Sequence, residues 1–172
     1  MLDARSLDNA PDWKAFRASL SEELEALEPD MERQMDVMRE RHHAQVFRLL
    51  TQDLAGLLTV EKLADHLSEL ADIVLDLTLP LCWRRIKIRH REAPKFAVIS
   101  YGKLGGKELG YASDLDIVFL HDDEAGEAPE VYTRLAQRVS TWLSSQTAAG
   151  QLFETDLRLR PNGDSGLLAV SV

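Results

Sequence analysis

From Trp13 to Leu81 apolar residues recur every three or four positions, the spacing that lines one face of a helix. Trp13, Phe16, Leu20, Leu24 and Leu27 form the first stripe, in DWKAFRASLSEELEAL, and Pro29 breaks it. A second helix is predicted from Pro29-Asp30, with an acidic first turn and Met31, Met35, Met38, Val46 and Leu49 on its inner side. Thr59 is placed to cap a third, in which Leu63, Leu67, Leu70, Val74, Leu77 and Leu81 alternate steps of four and three. That seam suits a coiled coil. Two further amphipathic helices need cover in the same chain, however, so a local bundle is expected, with Pro80 kinking or ending the third helix. After residue 92 the period changes. KFAVIS reads as a buried strand and DLDIVFLHD as a second. PEVYTRLAQRVSTWLSSQ reads as a helix with Val131, Leu135, Val139, Trp142 and Leu143 inward, and QLFETDLRLR as a third strand. The expected class is α+β: a three-helix region over 1–92, then a small core with a mixed sheet over 93–172.

Composition narrows the partners. The chain has 172 residues, 45% of them hydrophobic, enough to bury a core and too many for a disordered segment. A formal net charge of -9 argues against a nucleic-acid partner, which needs clustered Lys and Arg. The basic stretch WRRIKIRHR, residues 83 to 91, reads as a solvated helix end. The N-terminus lacks a secretory profile and Asp76, Thr78 and Pro80 interrupt the apolar run near 73–83, so a cytoplasmic protein without a membrane partner is expected. Cys82 is the sole cysteine and reads as a small buried apolar side chain. His42 and His43 are adjacent, point to different helix sides, and read as a solvated or half-buried pair.

The stretch YGKLGGKELGYASDLDIVFLHDD, residues 101 to 123, carries the candidate chemistry. It is no Walker A loop: three residues separate Gly102 from Gly106, and Glu108 stands where Ser or Thr must reach magnesium. It also lacks the G-x-G-x-x-G order. What remains is a strand, a glycine turn that a ligand can approach closely, and a short helix beginning near Leu104 to Lys107 whose free N–H groups favour anions. Asp114 and Asp116 are two apart on a strand, so both carboxylates project from one face. Two like charges that close repel unless a cation sits between them or water screens them, and magnesium commonly binds through one or two carboxylates plus substrate phosphates. In ETDLRLR, Glu154, Asp156, Arg158 and Arg160 share one face, which adds a third carboxylate beside two arginines, as two-metal phosphoryl transfer requires. His121, Asp122 and Asp123, at the strand's far end, read as a solvated turn.

GKLGGKELGYASDLDIVFL followed by LFETDLRLRPNGDSGLL resembles the glutamine synthetase adenylyltransferase family, a branch of the DNA polymerase β-like nucleotidyltransferase superfamily. The order of glycine turn, D-x-D pair and later carboxylate is the same. The resemblance implies a polymerase-β-like core and a longer parent enzyme of which this chain is a piece. One domain of that parent attaches AMP from ATP to a tyrosine of glutamine synthetase, and a second removes it by phosphorolysis. YGKLGGKELGYASDLD with DLRLRPNG is more similar to the C-terminal, AMP-attaching copy. By position, Asp114 and Asp116 would hold two Mg2+ ions, with Asp156 completing the site and helping the tyrosine hydroxyl lose its proton. Gly105, Gly106 and Ser113 would face the triphosphate, and Lys103, Arg158 and Arg160 would contact phosphate or substrate. Control by a PII-type signal protein is implied for the parent. Two other readings stay open: nucleotidyl transfer to a small molecule, and a catalytically silent module that binds through its heptad seam.

Overall fold

The computed structural model describes residues 9–159 and 167–172. Each of the first three helices starts at a capping residue. Helix α1 (Trp13–Ala26) follows Asp12, whose carboxylate accepts from the Ala15 amide at 2.9 Å. Helix α2 (Met31–Leu54) follows Asp30, which accepts from Arg33, and α3 (Val60–Arg84) follows Thr59, which accepts from Lys62. Phe16, Leu20 and Leu24 of α1 and Met35, Met38 and Leu49 of α2 are buried. The whole heptad seam of α3 is buried as well, packed inside the chain in a local bundle rather than offered to a second copy. Full burial of a Leu or Val stabilises by roughly 1.5–3 kcal/mol, so this seam is the main tie of the helical region.

Two details of that region differ from expectation. Met31 occupies the first position of α2 and is exposed, lining an open groove instead of the core. Helix α3 runs through Pro80 to Arg84. Pro80 and Asp76 are both exposed, so the carbonyl four residues back, which Pro80 cannot bond, lies on the solvent side where water can meet it.

Strand β1 (Phe96–Ser100) leads through a one-turn helix α4 (Gly102–Gly105) to β2 (Leu115–His121). Helix α5 (Ala128–Ser144), β3 (Thr155–Asp156) and β4 (Ala169–Ser171) follow. Among the described residues the strands form one small mixed sheet centred on β2. It pairs antiparallel with β1, from Phe96 opposite His121 to Ser100 opposite Ile117. On its other side it pairs in parallel with β3 at Leu115–Thr155 and Asp116–Asp156, then with β4 from Phe119–Ala169. KFAVIS is therefore an edge strand, and its alternate residues Ala97 and Ile99 face outward instead of being buried. The stretch QLFETDLRLR contributes a two-residue strand followed by a turn at Arg158 and Leu159, so no continuous strand face joins Glu154 to Arg158; Arg160 lies outside the described residues.

Helix α5 presents Val131, Leu135, Val139, Trp142 and Leu143 inward, as predicted, and packs against α3 and the sheet, so helical region and sheet share one hydrophobic core. At the far end of β2, His121 and Asp123 are buried where a solvated turn was expected, while Asp122 is exposed as expected. His121 stacks on Tyr132, and the Asp123 carboxylate accepts from His90 Nε2 and Tyr132 Oη at 2.8 Å and from the Ala125 amide, with Arg91 at 3.0 Å. His90 and Arg91 come from the basic stretch, so its last two residues are held by Asp123, while Arg84, Lys87 and Arg89 are exposed as expected. Cys82 is buried, and burial pushes its thiol up to about 12. Among the described residues no helix is long and apolar enough to cross a membrane.

Candidate functional site

The glycine turn is fixed against the sheet at its first residue. The Tyr101 amide donates to the Asp116 carbonyl at 2.8 Å, and the chain turns at Gly102 with φ +52°. A Cβ on Gly102 would lie 2.2 Å from Asp116 Oδ2, and one on Gly105 would lie 2.6 Å from the Ser100 carbonyl oxygen. Both positions need glycine for close approach, Gly102 for its backbone as well. The short helix starts two residues earlier than the predicted Leu104. The amides of Gly105 and Gly106 donate back to Tyr101 and Gly102 carbonyls at 3.0 and 2.9 Å. The turn's first amides, those of Gly102, Lys103 and Leu104, have no acceptor within the helix, and no side chain caps them. Lys103 is exposed at this turn.

The loop from the turn to β2 is held from below. Leu104 and Leu109 are buried, and Tyr111 donates its hydroxyl to Asp53 of α2 at 3.0 Å; burial and then Asp53 push that hydroxyl up to about 12. Ser113 Oγ accepts from the Gly110 amide at 3.0 Å and so closes the last turn before Asp114.

Asp114 is exposed and Asp116 half-buried, while Leu115 and Ile117 are buried on the opposite side of the strand. Asp116 stands in register with Asp156, and cross-strand partners project from the same face; Asp114, expected on the strand, lies just before β2 begins, with its charge in reach of Arg158. Neither Asp114 nor Asp116 receives a hydrogen bond at its carboxylate from the described residues. Asp156 is gripped by its own neighbour: Arg158 Nε donates to both carboxylate oxygens at 3.0 and 2.9 Å, Arg158 Nη2 adds a further contact, and the Arg158 amide donates at 2.9 Å. The Arg158 side chain, then its amide, hold Asp156 down to about 2. The guanidinium is shifted up by Asp156 first and by Asp114 and Asp116 after it, so its charge sits within the field of all three acids. Among the described residues no three His, Cys, Asp or Glu side chains stand close enough to share one metal ion. Asp114 and Asp116 are open carboxylates of the kind a hard divalent cation takes when phosphates supply the rest of its shell, whereas Asp156 is occupied by Arg158 and would have to be released to join them. Glu154 is exposed, and its carbonyl accepts from the Leu115 amide.

Residues far away in sequence place β3. The wholly buried Arg39 donates to the carbonyls of Met35, Trp142, Ser145 and Gly150 at 2.7–3.0 Å, tying the end of α5 and the 147–150 turn to α2. Gly150 has φ +100°, and a Cβ there would lie 2.9 Å from the His43 ring, whose Nε2 bonds the Gln151 carbonyl at 2.8 Å. His42 is buried, not half-solvated, and burial, then His43 and Arg39, hold it down to about 3. Sequence reading passed over Arg39, although a charged residue among the inward positions Met35, Met38 and His42 was a visible signal. It noted Gly102 only as a spacing mismatch.

A sequence model of the family described as glutamate-ammonia ligase adenylyltransferase matches residues 1–172. Curated relatives called bifunctional glutamine synthetase adenylyltransferase/adenylyl-removing enzyme match along nearly all of the chain. The protein of Aromatoleum aromaticum is 78% identical over 172 residues, 100% of this chain and 18% of that protein. That of Ralstonia nicotianae is 57% identical over 168 residues, 98% of this chain and 18% of that protein. That of Chromobacterium violaceum is 59% identical over 172 residues, 100% of this chain and 19% of that protein. The chain thus spans about a fifth of the length of these curated relatives.

Proposed function

This chain belongs to the glutamate-ammonia ligase adenylyltransferase family, and from that premise we propose that it carries the polymerase-β-like AMP-attaching centre of a longer cytoplasmic enzyme. The reaction is attack of a tyrosine oxygen of glutamine synthetase on the α-phosphorus of ATP. The new O–P bond forms as the bond to the β-phosphate breaks, pyrophosphate leaves with the electron pair, and the phenolic proton passes to a base. The parent also removes AMP by phosphorolysis in a separate domain and answers to a PII-type signal protein. The observation that carries the reading is the pairing of Asp116 with Asp156 on one sheet face, with Asp114 immediately before the strand and its charge, like that of Asp116, felt by Arg158.

Asp114 and Asp116 would hold two Mg2+ ions, with Asp156 as the third ligand; bound there, the ions stabilise the attacking and leaving oxygens. The protein's own groups do the rest. The uncapped amides of Gly102, Lys103 and Leu104, with Gly105 and Gly106 shaping the turn and Ser113 closing the loop, accommodate the β- and γ-phosphates. Lys103, Arg158 and Arg160 supply positive charge to phosphate or substrate. While Arg158 grips it, Asp156 is a weak base; with Arg158 drawn onto a phosphate, the carboxylate becomes free to take the phenolic proton.

The test uses the full-length enzyme carrying Asp114→Asn/Asp116→Asn. Transfer of AMP to glutamine synthetase is lost in that variant while phosphorolytic removal continues, and Mg2+-dependent ATP binding at this site disappears from calorimetric titrations. Undiminished transfer would overturn the assignment; loss of removal alone would give this centre the opposite reaction.

A further inference from the structure

A cleft of about 420 Å3 opens beside Asp114, between the 109–114 loop, the segment entering β3, and helices α2 and α3. Its lining includes Tyr111, Ser113, Gln151 and Phe153, and the charged side chains on it are Asp114 and Glu154; no Lys or Arg contributes. Such a wall repels phosphate and suits an uncharged aromatic group with adjoining polar atoms. His42 is 5% exposed and lines this cleft, its ring edge-on to Phe153 with centroids 4.9 Å apart. Its Nδ1 is buried without a hydrogen-bond partner among the described residues. No group among the described residues therefore makes use of this nitrogen.

The direction of the reaction says which reactant belongs here, an argument that rests on the function proposed above. The glycine turn abuts Asp116 through Gly102, whereas the cleft abuts Asp114. In phosphoryl and nucleotidyl transfer the attacking and leaving oxygens lie roughly in line across the phosphorus. Pyrophosphate leaving on the glycine-turn side leaves the opposite, Asp114 side for the attacking oxygen. We propose that the cleft beside Asp114 is the acceptor pocket: it seats the tyrosine and adjoining peptide of the protein substrate, the phenol aimed at Asp114 and a backbone group bonded to His42.

In this arrangement His42 is a positioning residue that acts on acceptor affinity. In the full-length enzyme, His42→Phe keeps the ring and removes its polar atoms, and His42→Gln restores hydrogen bonding. The first should raise KM for glutamine synthetase about tenfold, the worth of one hydrogen bond, with kcat and ATP affinity within about twofold, and the second should recover part of the loss. Ala112→Phe, on the exposed rim, narrows the cleft without touching the core and should raise the same KM, which decides the matter if the His42 variants melt. ATP affinity falling while acceptor KM holds would give the cleft to the nucleobase and overturn the proposal. So would unchanged KM in both His42→Phe and Ala112→Phe. Failure of the underlying function would look different: the unmutated enzyme would not transfer AMP to glutamine synthetase at all.

Discussion

Gly102 and Asp116 constrain each other. A methyl group on Gly102 would overlap Asp116 Oδ2, and φ +52° is a conformation costing other residues about 1 kcal/mol or more. Gly102→Ala should therefore lower stability by about 1–2 kcal/mol and also displace the carboxylate, cutting AMP transfer at least tenfold, measured by melting and by transfer assay. Gly126→Ala is the control, since Gly126 lies outside the site, has no positive φ, and a Cβ there would meet nothing within 4 Å. It should stay near parental activity; equal damage from both would remove Gly102 from its special place. Asp114→Asn and Asp116→Asn act on chemistry alone. Both carboxylates lack donors and repel each other, so each variant should melt at or slightly above the parent while transfer falls about 100-fold or more. A lower melting midpoint with transfer retained would show instead that the pair is structural. The position of Asp116 was legible because strand alternation fixes where its side chain points, whereas Asp114 falls just before the strand, where alternation does not apply. Gly102 was not legible, because its requirement arises from a carboxylate fourteen residues away in sequence.

At the scale of elements, the helices announced themselves through their period, the third also through its cap at Thr59, and the structure adds Asp12 and Asp30 as the caps of the other two. The third strand did not announce itself. Its length and register depend on parallel pairing with β2 and on Arg39, a residue of α2 that reaches carbonyls more than a hundred positions away. The same reason hid the burial of His121 and Asp123, whose partners His90 and Tyr132 lie on two other segments. KFAVIS was read as buried because an apolar run does not reveal whether a second neighbouring strand exists. Arg39→Met leaves the carbonyls of Trp142, Ser145 and Gly150 without that donor, which should cost about 3 kcal/mol or more in urea unfolding. Arg39→Lys should not rescue it, because one ammonium cannot span a fork of acceptors spread over two elements. A loss below about 1 kcal/mol for Arg39→Met would mean that water takes over these carbonyls and that β3 is placed by other contacts.

Across the whole molecule the helical region and the sheet share one core, so protonation of a buried group in one weakens both. Three histidines, His42, His66 and His121, are shifted down, in each case chiefly by burial, and His42 furthest, to about 3. The unfolded chain binds a proton at His42 below about pH 6.5, and the folded chain does so only near pH 3. Stability from this group is complete above 6.5 and is lost as pH falls toward 3, by about 1.4 kcal/mol per unit and so on the order of 2 kcal/mol at pH 5. The carboxylates work lower down. Asp156 and Asp123 are shifted below the usual carboxylate range, so their share is present above about pH 4 and is lost beneath it. For Asp123, burial acts in the opposite sense but is outweighed by the bonds from His90, Tyr132 and Ala125. Between pH 6.5 and 5 the acid sensitivity of the fold therefore belongs to histidine. Melting midpoints should fall over that interval in the parent and fall less steeply in His42→Phe, which has nothing to protonate at this position. Parallel pH profiles for the two would show that His42 is protonated in the folded protein, and with it that the floor of the cleft beside Asp114 is charged rather than neutral.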